Sequence, residues 1–383
     1  MKRKIACITG TRADYPRVRS VLREIDSRDN LELDIIVTGS HLLEQYGYSA
    51  QEIIDDGFSI SKKVEMFIGE FDTPLGMTMA SARCTSGVAE ALAEINPDLV
   101  LITVDRVETL ASTTAASLMN FPIAHIQGGE VTGTIDESIR HAVTKLSHIH
   151  FPATEDAALR IIKMGEDPEF VFNTGCPYID EIMATKPAPL IELGNKYNFD
   201  ITKKIIIFTQ HSVTTEFEES LSQVEKTIEA LKDLDDVQII SFFSNTDAGG
   251  KKIIESISKE EKFIKIPNMQ SSDFLSLMSY SSLMIGNSSA GIREAPSFQL
   301  PVINIGSRQN GRLRAENVID VEHDVTKIKE AIDKCLNDDL FLLSLKNIEN
   351  PYGDGSAAVK IVDVLETVEL NNDLIQKEIC YDL

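Results

Sequence analysis

Residues 5–16, IACITGTRADYP, contain the pattern that decides the fold. A short, mostly apolar run ends at Thr9, and Gly10 follows at once. Pro16 suits the first turn of a helix, and apolar residues recur behind it at helical spacing: Val18, Val21, Leu22 and Ile25. The stretch therefore predicts a buried strand, a tight turn and a helix, which is the repeating unit of a parallel α/β sheet.

Strand patterns alternate with helical patterns along most of the chain. The strand patterns cover residues 5–9, 33–38, 99–104, 123–126 and 149–151, then 205–209, 237–243, 263–266, 283–285 and 302–305. The stretch 175–200 between the two series has no clear strand and contains Lys186-Pro-Ala-Pro. We therefore predict two doubly wound α/β domains, residues 1–175 and 176–363. The pattern leaves open whether a helix over 364–383 returns to the first domain.

The composition argues against several classes of protein. Lys plus Arg is 37 and Asp plus Glu is 60 among 383 residues, so the formal charge is −23. This excess of acid argues against a general nucleic-acid or membrane binder, although a few local arginines suffice for a small anionic ligand.

Five dispersed cysteines without a CxxC pair favour a reducing cytoplasm. The apolar run after Lys4 stops at Ile8 and no run approaches about 18 residues, so neither a secretory signal nor a membrane span is expected.

Two polar segments follow predicted strands, where parallel sheets bind their ligands. In the segment after Thr9, Arg12 offers a forked cation to a phosphate. In residues 286–294, GNSSAGIRE, Ser288 and Ser289 suit a diphosphate at a helix N-terminus, and Glu294 suits ribose hydroxyls. An ordinary strand-to-helix turn and an ordinary Ser N-cap are the alternatives. No GxGxxG follows the first strand, so a dinucleotide is not expected.

Charged residues also follow two other predicted strands of the first domain. Asp105 ends one strand, and Glu130 follows the next after a Gly-Gly pair. Asp136 and Arg140 lie four residues apart, on one face of a helix predicted over 135–147. Carboxylates that converge at strand ends can serve as acid and base. The alternative for Asp136 and Arg140 is an ion pair on the helix surface.

Histidines suggest two further kinds of site. His211 ends the first strand of the second domain, where it can donate to a phosphate or carry a proton, although a lone His is more often structural. His141, His148 and His150 suggest a metal cluster, but no carboxylate or Cys completes a recognisable set of ligands. We therefore predict no metal.

Taken together, these motifs resemble the UDP-N-acetylglucosamine 2-epimerase family. The similar segments run in family order from about residue 5 to 320 and include TGTRADY, HIQGGEVTGTIDESIRHAVTKLSHIHF, QHSVTTE, NTDAGG, GNSSAGIRE and GSRQNGR. The resemblance implies the GT-B fold, with two Rossmann-like domains and a UDP-sugar in the cleft. The acidic loop GGEVTGTIDESIRHA makes the chain most similar to the hydrolysing branch, which makes N-acetylmannosamine for sialic acid synthesis.

The resemblance also implies roles for individual residues. Catalysis is assigned to Asp105, Glu130, Asp136, Arg140 and His211, and binding of UDP to Arg12, Arg106, His211, Asn245, Ser288, Ser289, Glu294 and Arg308. Three positions depart from the family: Val104 replaces the Gly of GDR, Gln127 replaces a catalytic Glu of several relatives, and Ser212 replaces the Pro of HP. Because Gln cannot remove a proton, the acid–base work must fall on Asp105, Glu130 or Asp136.

The implied reaction converts UDP-N-acetylglucosamine and water to N-acetylmannosamine and UDP through a 2-acetamidoglucal, without a cofactor. Alternatives are the same reaction on UDP-2,4-diacetamido-2,4,6-trideoxyglucose, a non-hydrolysing epimerase, a GT-B glycosyltransferase and a non-catalytic UDP-sugar-binding regulator. The resemblance also implies a homo-oligomer, a dimer or a tetramer.

Overall fold

The chain divides into two compact units in a computed structural model. Unit 1 comprises Met1–Glu181 and Tyr352–Leu383, and unit 2 comprises Ile182–Pro351. The structure describes residues 2–12, 14–44, 47–69, 71, 73–131, 136–243, 250–267 and 269–380, without the side chains of residues 136, 214, 215 and 217.

Unit 1 is built on a parallel sheet, which has six strands in the described residues. Its order is β3-β2-β1-β4-β5-β6, the doubly wound order of a Rossmann fold. The strands are β1 (Arg3–Thr9), β2 (Leu31–Val37), β3 (Lys62–Lys63), β4 (Leu99–Thr103), β5 (Ile123–Ile126) and β6 (Ile149–Phe151). Except in the short edge strand β3, apolar side chains of the strands are buried on both faces of the sheet, which explains why these strands appear in the sequence as continuous apolar runs.

Helices cover both faces of this sheet. They are α1 (Arg19–Ser27), α2 (Ala50–Asp55), α3 (Pro74–Ile95), α4 (Val107–Leu118), α5 (Asp136–Leu146) and α6 (Glu155–Lys163). Helix α7 (Pro177–Ala184) begins in unit 1 and contains the boundary between Glu181 and Ile182. Pro16 lies in a short 3-10 turn, Tyr15–Arg17, that precedes α1, and not in the first turn of α1 itself as predicted. No described helix is long and apolar enough to cross a membrane.

Unit 2 repeats the same topology. The described residues again form six parallel strands, in the order β12-β11-β10-β7-β8-β9. The strands are β7 (Lys204–Thr209), β8 (Val237–Phe242), β9 (Phe263–Ile266), β10 (Leu283–Gly286), β11 (Val302–Ile305) and β12 (Val318–Val321). The helices are α8 (Leu190–Tyr197), α9 (Ser220–Leu231), α10 (Gly250–Lys259), α11 (Ser271–Tyr280), α12 (Ser289–Arg293), α13 (Val325–Asn337) and α14 (Asp339–Ser344). The fold class predicted from the sequence, two doubly wound α/β domains, is therefore confirmed.

The unit boundaries differ from the predicted domain limits. Unit 2 begins at Ile182 instead of residue 176, and the chain returns to unit 1 at Tyr352 instead of residue 364. The return carries α15 (Ala357–Thr367) and α16 (Asn372–Ile375). Helix α15 buries Ile361, Val362 and Leu365 in the core that α1 also lines. Its apolar pattern predicts a packed helix, but that pattern does not specify which core the helix covers.

A buried carboxylate fixes the C-terminal segment on unit 1. Glu166 is only 2% exposed. Lys377, which follows α16, donates to Glu166 Oε2 at 2.5 Å, and His150 Nε2 lies 3.1 Å from the same oxygen. Lys145 pairs with the other oxygen. Burial alone would raise the pKa of Glu166, but the hydrogen bonds from His150, Lys145 and Lys377 outweigh it and lower the pKa to about 2.

Glu166→Gln is expected to lower the free energy of unfolding at neutral pH by up to about 3 kcal/mol, since each pKa unit corresponds to about 1.4 kcal/mol. The ionised carboxylate supplies this stability, so it is complete above the ordinary pKa of 4.5 and is lost as the pH falls towards 2. Denaturant titrations of wild type and variant should therefore converge at acid pH. Glu32→Gln is the control, because Glu32 pairs with Lys4 at the surface and should change stability by less than about 1 kcal/mol. A difference that does not vary with pH would contradict the assignment.

Candidate active site

In unit 1, the predicted site residues follow three strands of one parallel sheet. Arg12 follows β1, Asp105 and Arg106 follow β4, and Glu130 follows β5. Because carboxyl ends of parallel strands lie at one edge of the sheet, these segments share the edge where α/β proteins bind ligands. Arg12 and Arg106 are exposed there.

Arg140 of α5 connects two of these segments. Its side chain is only 4% exposed, and its Nη2 pairs with Asp105 Oδ2. Its Nη1 donates to the carbonyl oxygen of Glu130 at 2.7 Å and to Glu137 Oε2 at 3.3 Å. The alternative of a surface pair is therefore wrong for Arg140, which holds the end of β4 and the loop after β5 in place.

Two predicted residues fall partly or wholly outside the described part of the chain. Helix α5 begins at Asp136, whose side chain is not described. Asn245 lies outside the described residues altogether. Glu130 is described, and its Oε1 is buried without a hydrogen-bond partner among the described residues. Of the three predicted acid–base carboxylates, Asp105 and Glu130 therefore have described side chains.

Two strands of this edge end in a strained backbone. Val104, directly after β4, has φ +62°, and Gln127, directly after β5, has φ +65°. A non-glycine residue in this left-handed region costs roughly 1–3 kcal/mol, most for a β-branched side chain. Val104 stands where the family often has Gly, which adopts this conformation freely. The departure at Val104 therefore leaves the backbone turn in place and makes it strained.

The Gln127 side chain is 3% exposed and engaged at both ends. Its Nε2 donates to Cys176 Sγ at 2.6 Å, and Arg17 Nη1 donates to its Oε1 at 3.4 Å. An amide satisfies both contacts, since it offers a donor and an acceptor. A Glu at this position would lose the donor that faces Cys176.

Two buried carboxylic acids beside this edge were not expected from the sequence. Asp14 and Glu108 are each 3% exposed. Burial is the main cause that raises the pKa of Asp14 to about 6, and the nearby Glu108 adds to it. Arg106 Nε lies 3.6 Å from Glu108 Oε2. Arg106, which is predicted to bind UDP, therefore already faces a carboxylate. Only the tertiary packing identifies the pair, because no sequence pattern distinguishes Asp14 or Glu108 from surface acids.

In unit 2, Asn287 connects the segments after β7, β10 and β11. Asn287 Oδ1 accepts from the His211 N–H at 2.7 Å, and its Nδ2 donates to the His211 carbonyl at 2.8 Å. Its own carbonyl accepts from Arg308 Nη1 at 3.1 Å and from Gln309 Nε2 at 2.8 Å. The predicted residues His211, Ser288 and Arg308 are thus held together through Asn287, which is not among the predicted site residues. The signal available in the sequence was the position of Asn287 between the predicted strand and the two serines, Ser288 and Ser289.

The segment after β10 makes a tight turn into α12. Gly286 has φ +131°, and a Cβ there would collide with the Thr209 carbonyl. Ser288 is the N-cap, with its hydroxyl accepting from the Ala290 N–H at 3.3 Å. Helix α12 has only five residues, so its dipole is small and an anion would be held mainly by hydroxyl and N–H groups. Glu294 is the half-buried residue that ends this helix.

The three histidines that suggested a metal have other contacts. His148 Nδ1 accepts from the Ile123 N–H at 3.0 Å, and His150 lies against Glu166. His141 Nε2 is 3.3 Å from Glu137 Oε1. Among the residues that the structure describes, no three His, Cys, Asp or Glu side chains group as metal ligands. These histidines belong to the framework of unit 1.

The chain is similar in sequence to known proteins of one family. The family model of UDP-N-acetylglucosamine 2-epimerase matches residues 23–366. A Legionella pneumophila protein named UDP-N,N'-diacetylbacillosamine 2-epimerase (hydrolyzing) is 38% identical over 98% of this chain and 99% of its own. A Neisseria meningitidis UDP-N-acetylglucosamine 2-epimerase is 35% identical over 87% of each chain.

A solved structure shows the same fold. The crystal structure of a UDP-GlcNAc 2-epimerase from Neisseria meningitidis, bound to UDP-GlcNAc, matches with a TM-score of 0.78. The match covers 94% of this chain and 99% of that chain at 22% sequence identity. Together with the two six-stranded sheets of the described residues, it confirms the GT-B-like fold class. The chain belongs to the UDP-N-acetylglucosamine 2-epimerase family.

Proposed function

We propose that this protein is a hydrolysing 2-epimerase, which converts UDP-N-acetylglucosamine and water to N-acetylmannosamine and UDP. The observation that carries the proposal is the buried Arg140, which pairs with Asp105 and anchors the Glu130 carbonyl. Arg140 keeps the segments that carry Asp105 and Glu130 together at the carboxyl-end edge of the sheet. Acid–base catalysis needs such groups to be held in fixed positions. Membership of the family and the hydrolysing relative at 38% identity support the reaction type.

The proposed chemistry has two stages. In the first, a carboxylate takes the C2 proton, and the C1–O bond breaks with its electron pair leaving on UDP, which gives a 2-acetamidoglucal. In the second, a proton is delivered to C2 from the opposite face and water adds to C1, which gives the free 2-epimer. Asp105, Glu130 and Asp136 are the proposed acid–base residues, with Arg140 as the group that holds Asp105. The sequence of steps is redox-neutral, so it requires no nicotinamide cofactor.

Departure of UDP requires stabilisation of negative charge. We assign this stabilisation to four residues of unit 2: His211, Ser288, Ser289 and Arg308. Glu294 is assigned to the ribose hydroxyls. The further residues assigned to binding of UDP are Asn245 and the cations Arg12 and Arg106. The fixed frame around Asn287 supports the assignment, because preorganised donors stabilise charge without reorganising during the reaction.

A second candidate substrate is UDP-N,N'-diacetylbacillosamine, which is UDP-2,4-diacetamido-2,4,6-trideoxyglucose. The observation that favours it is the Legionella pneumophila relative, which is named for this sugar and matches over almost the whole of both chains. The reaction would be the same, because the two sugars share the 2-acetamido group and the C2 proton.

The test is to incubate the protein separately with each UDP-sugar in D2O, without acceptor or NAD, and to follow the sugar by NMR. We expect UDP and a free 2-epimer that carries deuterium at C2. The sugar that gives the higher kcat/KM identifies the substrate. UDP retained on an epimerised sugar would select a non-hydrolysing epimerase, and binding of both sugars without turnover would reject the enzymatic proposal in favour of a regulator.

A further inference from the structure

His125 lies where it can control the strained turn at the end of β4. It is the third residue of β5, it is completely buried, and its Nε2 lies 3.1 Å from the carbonyl oxygen of Val104. A carbonyl only accepts hydrogen bonds, so the Nε2 of His125 must carry the hydrogen. His125 therefore donates to Val104, the residue directly after β4, whose φ is +62°.

The environment of His125 fixes its tautomer. Burial is the main reason that its pKa falls to about 3, so the ring is neutral at physiological pH. With the hydrogen on Nε2, Nδ1 is an acceptor, and it has no hydrogen-bond partner among the described residues. A Cβ at Gly128 would lie 2.9 Å from this Nδ1, so glycine is needed there for the ring to keep its place.

The Val104 turn determines where Asp105 points. Asp105 is the next residue, and its carboxylate pairs with the buried Arg140. A left-handed residue relaxes to an extended backbone when nothing holds it, and such a change at Val104 would rotate the peptide that carries Asp105. Val104 is held on one side by its own N–H, which donates to Ile126 O at 3.3 Å, and on the other by His125.

We propose that His125 is a positioning residue: its Nε2–H bond to the Val104 carbonyl holds the left-handed turn and so directs Asp105 towards Arg140. The kinetic part of this inference rests on the proposed function, because it takes Asp105 as an acid–base residue. The conformational part does not depend on any substrate.

The kinetic test uses His125→Leu and His125→Gln. Leucine removes the donor, whereas glutamine places an amide N–H at a similar reach. We expect His125→Leu to lower kcat by at least about 30-fold, with KM and the affinity for UDP changed less than about 3-fold, because a misdirected acid–base group affects chemistry more than binding. His125→Gln should recover at least a third of the kcat of the wild type. A wild-type kcat in the folded leucine variant would overturn the proposal.

A double-mutant cycle with Val104→Gly tests the route of the effect. Glycine adopts φ +62° without strain, so the turn then no longer depends on the histidine. The loss of kcat caused by His125→Leu should be at least 5-fold smaller when it is measured against Val104→Gly than against the wild type. Equal losses in the two backgrounds would show that His125 acts by another route and would overturn the proposal.

Two structural measurements keep the inference separate from the proposed function. The 15N chemical shifts of the His125 ring in the wild type should show the Nε2–H tautomer, and an Nδ1–H tautomer would overturn the proposal even if no variant folds. A crystal structure of His125→Leu should show Val104 with a negative φ, and a retained positive φ would overturn it. If the wild type turns over neither UDP-sugar, the proposed function fails, while these two measurements still decide the role of His125.

Discussion

Replacement of Arg140 by methionine is expected to lower kcat by at least about 100-fold and the free energy of unfolding by roughly 3–5 kcal/mol. Arg140 is a buried cation whose guanidinium contacts Asp105, Glu137 and the Glu130 carbonyl. Methionine fills much of the volume but leaves the Asp105 carboxylate without this partner. Removal of one member of a buried pair is expensive because the remaining charge stays poorly solvated.

The kinetic effect has a separate cause. Without Arg140, the Glu130 carbonyl loses a 2.7 Å hydrogen bond, and the end of β4 is no longer connected to the loop after β5. A shift of about 1 Å in a catalytic group lowers the rate by about 100-fold. Arg140→Lys should be intermediate in kcat, since lysine keeps the charge but lacks the planar fork that contacts several acceptors at once.

Arg160→Met is the matched control for Arg140→Met. Arg160 of α6 donates to the Gly129 carbonyl at 2.9 Å, one residue before Glu130. It anchors the same loop, but the contact is to a carbonyl oxygen rather than to Asp105. Steady-state kinetics and denaturant titration of both variants should show a much smaller loss of kcat for Arg160→Met. Equal losses of kcat would mean that the loop, and not the position of Asp105, limits the reaction.

The strands were predictable because both sheets are buried on both faces. All ten predicted strand patterns match observed strands to within two residues at each end, for example 123–126 and 302–305. The two missed strands lie at sheet edges: β3 is only Lys62–Lys63, and β12 is not fully buried. An edge strand lacks the continuous apolar run that identifies a central strand, so local pattern alone does not reveal it.

For the candidate site, the sequence predicts which residues lie at strand ends but not the contacts that they make. The rule that ligands bind at the carboxyl ends of parallel strands led to Asp105, Glu130 and His211. The partner of Arg140 was not predictable, because helical spacing suggests Asp136, whereas Asp105 comes from a different strand and meets Arg140 only in the tertiary fold. The positive φ of Val104 and Gln127 has the same origin, since neither residue type favours that conformation locally.

Asn287→Ala is expected to weaken binding of UDP by roughly 10–100-fold and to lower the free energy of unfolding by about 2–4 kcal/mol. Asn287 is 2% exposed, and its amide makes both hydrogen bonds to the backbone of His211. Alanine leaves the partly buried N–H and carbonyl of residue 211 without these partners, and an unsatisfied polar group costs about 1–3 kcal/mol when it is shielded from water. The turn after β7 should then move, and with it the imidazole proposed to face the diphosphate.

The choice of control separates the loss of stability from the loss of binding. Asn304 is an equally buried asparagine of the same sheet, and its Nδ2 donates to Asp320 Oδ1 at 2.6 Å. It lies within β11 rather than beyond a strand end, so Asn304→Ala should destabilise unit 2 without a change in the affinity for UDP. Calorimetric titration with UDP measures this difference independently of turnover. If both variants lose affinity for UDP in proportion to their loss of stability, Asn287 serves only the general stability of the sheet. If Asn287→Ala alone loses affinity for UDP, its amide connects the fold of unit 2 to recognition of the diphosphate.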